Sequence, residues 1–409
     1  MRNITKNYII ISILPIAMLI YAFLNDDLEN IYRGLVIITK SNNILTTDYF
    51  YIAGTSAALI NASVITLLNI LLLYKLDLRI NGFIITAIFL MLGYALMGKT
   101  LLNIIPFYIG TYFHAKFLKK SYRSVVVGAL MSTSLAPVVS SIPYIGFILA
   151  IIISFIFPFV TKHVVHFHSG YSLYNSGLAG GMIGIVLYSV VKASGIEFDL
   201  NNGYYDKFDY RLFILLLMYF IFLMILGYIR TRKNFIKKLL NLYKHTGILV
   251  SDFIQKDGLE ISLFNMGTLG VLGLLIIIYY QRLNGPVLTG LFALVAFGGF
   301  GKHLKNVYPI LIGVIASKYI FSHDISITIF LLTVFLSTTL APIAGKFGVI
   351  NGIIAGILFY ATVTSVGTVH GGINLYNSGL AAGIVVSVYL PIILGIRGGI
   401  KNWKRLRKR

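Results

Sequence analysis

The chain has 409 residues, of which 57% are hydrophobic and 11% charged, and its formal net charge is +21. Soluble domains carry about 25% charged residues, so the composition excludes a soluble globular protein and predicts an all-α integral membrane protein. No cysteine is present, which excludes disulfides and thiolate chemistry. The basic residues form short clusters between apolar runs, as in cytoplasmic loops. We therefore expect a lipid bilayer, and no nucleic acid, as partner.

The first apolar run, Tyr8–Leu24, follows a basic N-terminus. It is longer than the core of a typical signal peptide, and no small-residue cleavage site follows it, so it predicts a retained first span. The apolar runs along the whole chain predict about 12–14 transmembrane or re-entrant helices.

The charged loops set the expected orientation, because lysine and arginine stay on the cytoplasmic side. Acidic segments at residues 26–48 and 197–209 are expected outside. Basic clusters are expected inside, at residues 75–79, 116–123, 230–256 and 397–409. The pattern predicts a multi-pass protein of a bacterial plasma (inner) membrane, with both termini cytoplasmic.

A heptapeptide, Leu-Tyr-Asn-Ser-Gly-Leu-Ala, occurs twice, at residues 173–179 and 375–381, which is a separation of 202 residues. A histidine precedes each copy at the same spacing, His168 and His370. Further matches follow at a separation of 203 residues, namely Asn81 with Asn284, Gly98 with Gly301, Lys99 with Lys302, Asn103 with Asn306 and Pro106 with Pro309. This colinear series predicts an internal duplication.

The duplication divides the chain into five parts: an N-terminal span and external loop (1–48), repeat one (49–192), a linking span with a basic loop (193–258), repeat two (259–396) and a basic tail (397–409). The first repeat follows an acidic loop and the second a basic one, so we expect opposite orientations. Inverted repeats place a substrate site near the bilayer midplane, where discontinuous helices meet.

The two heptapeptides are too polar for ordinary lipid-facing helix, because irregular backbone at membrane depth survives only against protein or a cavity. We expect Asn175, Ser176, Asn377 and Ser378 to cap half-helices and to line a solute pathway. His168, His370, Tyr174 and Tyr376 are expected nearby, with the histidines orienting the loop or binding substrate. The alternative is close packing, in which small residues and asparagine join membrane helices.

Lys99 and Lys302 are further candidates, because a lysine at membrane depth usually faces a cavity. Each ends an apolar run, so snorkelling towards the lipid headgroups is the alternative. His163, His166 and His168 have spacing that suits a metal. The second repeat keeps only His370, and no acidic residue is close in sequence, so we expect no metal and no cofactor.

All thirteen carboxylates fall in or beside predicted loops. Proton pumps and many ion-coupled carriers use buried carboxylates, so their absence from predicted spans favours a channel or facilitator, or sodium coupling through backbone carbonyls. No carboxylate pair or cysteine suggests an intramembrane hydrolase, and we expect no enzymatic activity.

The chain is identified as a member of a family of uncharacterised polytopic membrane proteins from bacteria, defined as a domain of unknown function. Residues 170–179 and 372–381 also resemble the pore motif of urea transporters, which appears once in each of two inverted halves. That resemblance implies a urea-transporter-like fold, a filter where half-helix pairs meet, and a homo-oligomer, a trimer or a dimer. The urea-slot sequences of that family are missing here, the nearest being residues 134–137 and 339–342.

The sequence therefore predicts a channel or facilitator for a small polar solute, with a urea-transporter-like or secondary-transporter-like fold. An ion-coupled carrier of a small anion, using Lys99 and Lys302, is the alternative within transport. A non-transporting membrane scaffold or sensor is the alternative of another class.

Overall fold

The computed structural model describes residues 3–142, 144–195, 198, 203–322 and 325–406. These residues form helices, turns and connecting segments, and no strand. Some of the predicted loop charges lie outside the described residues, namely Glu197 and Asp199 of the acidic segment and Arg407, Lys408 and Arg409 of the basic tail.

Within the described residues, each half of the chain forms ten α-helices in the same order. The first half contains α1 (Asn3–Asn25), α2 (Leu28–Lys40), α3 (Tyr49–Ala53), α4 (Thr55–Lys75), α5 (Gly82–Tyr94), α6 (Leu101–Phe117), α7 (Val126–Ser132), α8 (Pro137–Ser141), α9 (Gly146–His168) and α10 (Asn175–Ala193). The second half contains α11 (Tyr210–Thr231), α12 (Phe235–Leu242), α13 (Phe253–Asp257), α14 (Leu259–Tyr280), α15 (Gly285–Ala296), α16 (Leu304–Ile320), α17 (Ile327–Ser337), α18 (Ala341–Phe347), α19 (Val349–Val366) and α20 (Asn377–Leu406).

Helix length and composition make this a multi-pass membrane protein. Over the described parts of the chain, nine helical stretches are long and apolar enough to cross a bilayer, and three shorter apolar stretches cover residues 82–94, 126–135 and 285–299. A crossing needs about 20 apolar residues, so the short stretches reach only part of the way. The predicted all-α membrane fold is confirmed.

Two broken helices lie at equivalent places in the core. An asparagine caps the start of each. The Oδ1 atoms of Asn81 and Asn284 accept hydrogen bonds from the N–H groups of the third residues of α5 and α15. The chain then breaks between α5 and α6, and between α15 and α16, in segments that are fully buried. Irregular backbone at membrane depth is tolerated where protein covers it, and these breaks contain Lys99 and Lys302.

Corresponding helices of the two halves pack against each other in antiparallel fashion. Near the start of α5, Thr86 Oγ1 donates to the carbonyl of Ala296 at the end of α15 (3.2 Å), and Thr289 Oγ1 donates to the carbonyl of Gly93 (2.7 Å). The helices α10 and α20 cross where Gly177 meets Gly379. Each half therefore presents the same surface to the other, as in a structure with an approximate two-fold axis.

The correspondence extends to the spans that the sequence predicts outside the duplication. Helix α1 packs on α4, and α11 packs on α14 in the same way. The amphipathic helices α2 and α12 follow them at matching positions. The structural repeat thus begins earlier than residue 49 in the first half and earlier than residue 259 in the second.

Candidate functional site

The first copy of the heptapeptide lines a cavity of about 770 Å³, which we call the large cavity. Its walls come mainly from the first half, with residues 249–255 and three aromatic side chains from the second half. We call one part of its lining the inner end: the buried side chains of Tyr94, Tyr174, Phe297 and Tyr376, with Asn175, Ser176 and Gly177 beside them. Lys120, Lys162 and Asp252 also line it, so its remaining wall carries charge.

The second copy lines a smaller cavity, of about 200 Å³, which we call the small cavity. Leu375, Asn377 and Ser378 form one side of it, and Leu45 and Thr46 of the first half form another. These positions match Leu173, Asn175, Ser176, Leu249 and Val250 in the large cavity. The two cavities therefore occupy equivalent places in the two halves, and none of the described residues that line the small one is charged.

The asparagines of the two copies are held by the histidines that precede them. His168 Nε2 donates to Asn175 Oδ1 (2.8 Å) while its Nδ1 accepts from the Gly170 N–H (3.2 Å). Asn175 Nδ2 in turn donates to the carbonyl of Thr161 in α9 (2.9 Å). Much of the amide's hydrogen-bonding capacity is thus used within the protein, which fastens the start of α10 to α9.

The second copy repeats this arrangement. His370 Nε2 donates to Asn377 Oδ1 (2.9 Å), and Asn377 Nδ2 donates to the Val363 carbonyl (3.4 Å). His370 is fully buried, and both ring nitrogens have partners, since Nδ1 accepts from the Asn374 N–H (3.4 Å). In each half the histidine orients the loop, which is one of the two roles that its position predicts.

The prediction that asparagine caps these half-helices is wrong. Asn175 and Asn377 are the first helical residues, and Tyr174 is the N-cap of α10, without a side-chain capping bond. The N–H groups of Asn175 and Ser176 have no hydrogen-bond partner within the described structure. The asparagine side chain does not cap the helix, because its amide is hydrogen-bonded to the histidine and to a carbonyl of the neighbouring helix.

The lysines and tyrosines form two reciprocal pairs across the halves. Lys99 Nζ donates to the hydroxyl of Tyr376 (2.7 Å), and Lys302 Nζ donates to the hydroxyl of Tyr174 (2.7 Å). Each tyrosine is the second residue of a heptapeptide and lines the large cavity. The two ammonium groups therefore lie directly behind the inner end of that cavity.

The snorkelling alternative for these lysines is wrong, because Lys99 and Lys302 are both 0% exposed. Aromatic rings surround them: Lys99 Nζ is 4.7 Å from the Tyr376 ring centre, and Lys302 Nζ is 4.7 Å from that of Tyr174 and 4.9 Å from that of Phe297. In the described structure no carboxylate forms an ion pair with either lysine.

A second pair of asparagines, absent from the sequence prediction, supports the lysine segments. Asn61 Nδ2 donates to the carbonyls of Ala95 and Lys99, and Asn265 Nδ2 donates to those of Gly298 and Lys302. Their separation of 204 residues is the signal that could have identified them. They satisfy carbonyls that the helix breaks leave without intrahelical partners.

A pair of buried aspartates joins the two halves near the short helices. Asp48 Oδ1 accepts from the N–H of Gly285, the first residue of α15 (3.1 Å), and Asp252 accepts from the N–H of Gly82, the first residue of α5 (3.0 Å). Burial raises the pKa of Asp48 to about 6, so the side chain is ionised at neutral pH. Each carboxylate thereby stabilises the N-terminus of the other half's helix.

The histidine cluster does not assemble. His163 and His166 are exposed, with ring centres 6.1 Å apart, whereas His168 is buried against Asn175. Among the residues that the structure describes, no group of three or more histidine, aspartate or glutamate side chains lies close enough to hold a metal ion.

Comparison with known proteins identifies a family. The model of the family described as "Protein of unknown function (DUF1576)" matches residues 28–193 and 231–394. The two matched regions correspond to the two structural halves without α1 and α11. No curated protein and no solved structure matches the chain.

Proposed function

This chain belongs to the DUF1576 family of proteins of unknown function, and we propose that it is a membrane transport protein that passes a small polar solute between its two halves. The observation that carries the proposal is the pair of equivalent cavities, each lined by one copy of the heptapeptide. A duplicated polar segment that only packed helices together would have no reason to line a cavity in both halves.

The packing also supports inverted repeats. Corresponding helices run antiparallel in the pairs α5 with α15 and α10 with α20. A two-fold axis that relates antiparallel helices lies perpendicular to them. For helices that cross a bilayer, such an axis lies in the membrane plane, which is the arrangement of many secondary transporters. The basic clusters then put both termini and the mouth of the large cavity on the cytoplasmic side of a bacterial plasma membrane.

A carrier is favoured over an open channel by one specific observation. Tyr174 and Tyr376 line the large cavity, and neither lines the small one. The buried apolar side chains of Met97, Leu336 and Leu375 line the small cavity instead. We propose that the structure is the inward-open state of a protein that exposes its centre to one side at a time.

Flux through liposomes tests the proposal. The full chain would be reconstituted, and entry of urea, glycerol, phosphate, sulfate and nitrate would be followed in the wild type and two variants. Ser176→Trp fills the inner end of the large cavity and should abolish flux. Val186→Trp places the same ring on the exposed face of the same helix (68% exposed) and should retain it.

Two outcomes contradict the proposal. If the wild type passes none of these solutes, a scaffold or sensor is the better function. If Ser176→Trp folds, as judged by size-exclusion chromatography, and transports like the wild type, the pathway does not pass through the large cavity.

A further inference from the structure

We infer that the transported solute is a small oxyanion, a carboxylate or an inorganic oxyanion, and that it binds at the inner end of the large cavity. This inference rests on the proposed transport function and adds the class of substrate. The observations behind it are the two buried lysines, the hydrogen-bond donors at the start of α10, and the charge along the cavity wall.

The two buried lysines raise the question of what compensates their charge. Removing an ammonium group from water costs several kcal/mol unless other groups compensate its charge. Ring faces and one tyrosine hydroxyl each compensate Lys99 and Lys302, together with the Met91 sulfur for the first and the Ala293 carbonyl for the second. No carboxylate in the described structure pairs with either lysine. Ring faces attract cations but leave the net charge in place. An anion at the centre would supply the opposite charge that the described side chains do not, and would stabilise the protonated form of both lysines.

An anion can approach this region from the large cavity. Tyr174 and Tyr376 line the inner end of the large cavity, and their hydroxyls lie 2.7 Å from the two ammonium nitrogens. An anion in contact with the tyrosines is thus separated from each lysine by one aromatic side chain. No rearrangement of the lysines is needed for their field to act there.

Hydrogen-bond donors without a partner lie at the same place. The N–H groups of Asn175 and Ser176 and the hydroxyl of Ser176 have no partner in the described chain, and both residues line the cavity. The amide oxygen of Asn175, by contrast, already accepts from His168. The end of the cavity therefore offers donors, at the positive end of a 19-residue helix. This combination favours anions and is poorly matched to a cation.

The rest of the cavity wall carries charged side chains. Lys120 and Lys162 line the cavity together with one carboxylate, Asp252. Both oxygens of Asp252 already accept backbone hydrogen bonds from Gly82, and Oδ1 also accepts from Gln255. Two lysines against one carboxylate leave the wall with a net positive charge, and a positive wall raises the local concentration of anions.

Uptake of radiolabelled phosphate, sulfate, nitrate and succinate into liposomes that contain the full chain tests the inference. A potassium diffusion potential, positive inside, would drive entry, and urea and glycerol flux would be measured in the same preparation. The double variant Lys99→Gln/Lys302→Gln should take up the transported anion at least about tenfold more slowly, as expected for losing the attraction of two nearby charges. Lys318→Gln is the matched control, because Lys318 also lies over two aromatic rings but is exposed and lines neither cavity.

The readouts separate failure of this inference from failure of the proposed function. Wild-type flux of urea or glycerol with no anion uptake would overturn the anion assignment and leave transport standing. Absence of both would overturn both. Anion uptake that is equal in the wild type and a folded double variant would overturn the role of the lysines.

A second variant covers the case in which the double variant does not fold. Lys120→Gln/Lys162→Gln changes exposed cavity residues and should slow anion uptake at low ionic strength more than at high ionic strength, because salt screens exposed charge. Uptake that is unchanged at low ionic strength would contradict the proposed attraction of anions by the cavity wall.

Discussion

The large and small cavities are built from equivalent segments but differ in volume, about 770 Å³ against about 200 Å³. The difference accompanies a change in the same helix of each half. Helix α9 continues to His168, whereas its counterpart α19 ends at Val366 and a 3₁₀ turn carries the chain to His370. Equivalent segments thus adopt two shapes, one beside the larger cavity and one beside the smaller.

Under the proposed carrier function, the two shapes are alternative arrangements of one unit. Two packings of one element can differ by only a few kcal/mol, and the protein already contains both. Exchange of the two shapes between the halves would close the large cavity and open the small one. The predictions below test first what the halves share and then where they differ.

The largest expected effect is at the crossing of α10 and α20, where the halves should behave alike. A Cβ atom at Gly177 would lie 2.5 Å from the Tyr376 carbonyl oxygen, and one at Gly379 would lie 2.5 Å from the Gly177 Cα. Both contacts are with backbone, which cannot rotate away. Gly177→Ala and Gly379→Ala should each lower the free energy of unfolding by about 3 kcal/mol or more, seen as a lower melting temperature in detergent.

Gly395→Ala is the matched control for this prediction, because it also lies in α20 and a Cβ there would meet nothing within 4 Å. A melting temperature that falls for only one of the two crossing glycines would contradict the reciprocal contact between α10 and α20.

A smaller effect is expected at the aspartates that join the halves. Asp48→Ala would leave the buried N–H groups of Gly285, Phe50 and Tyr205 without their acceptor. Asp252→Ala would do the same to Gly82 and Gln255. Each substitution should cost about 2 kcal/mol of stability, measured by thermal unfolding.

Asp27→Ala provides the comparison, because Asp27 precedes α2, is exposed and makes no side-chain capping bond. Equal melting temperatures for Asp27→Ala, Asp48→Ala and Asp252→Ala would mean that the aspartates do not hold the halves together.

The smallest effect is a difference in the rate of thiol modification between cysteines introduced at the two serine positions of the heptapeptides. The chain contains no cysteine, so single cysteines can be introduced without background labelling. Ser176 is partly exposed in the large cavity and Ser378 is 4% exposed. A membrane-impermeant thiol reagent should modify Ser176→Cys from the cytoplasmic side about tenfold faster than Ser378→Cys from the outside.

Saturating concentrations of a transported solute sharpen this comparison. In a carrier, they should change the two rates in opposite directions as the population shifts between states. Equal rates at the two sites, in the absence and presence of solute, would support a permanently open channel instead.

Much of the site could be predicted from local sequence. The separation of 202 to 203 residues identifies Lys99 with Lys302 and Tyr174 with Tyr376, and the polar heptapeptides do interrupt the helices and line cavities. The partners of these residues could not be predicted. A repeat shows which positions are equivalent, but whether Lys99 contacts the tyrosine of its own half or of the other depends on packing between halves.

The helix boundaries at the heptapeptides could not be predicted from local sequence either. An Asn-Ser pair before an apolar run predicts a cap, but the competing bonds from His168 and from the Thr161 carbonyl come from a neighbouring helix. Likewise, α1 and α11 share no motif that marks them as equivalent, and only their packing on α4 and α14 reveals the match.

The crossed lysine–tyrosine bonds have a consequence for the origin of the molecule. Lys99 finds its tyrosine in the second half, and Lys302 finds its tyrosine in the first. A half-length ancestor would have carried one lysine and one tyrosine that could not reach each other. With the same geometry, such an ancestor would complete its centre by pairing with another copy of itself, and joining the two copies in one chain would make that pairing permanent.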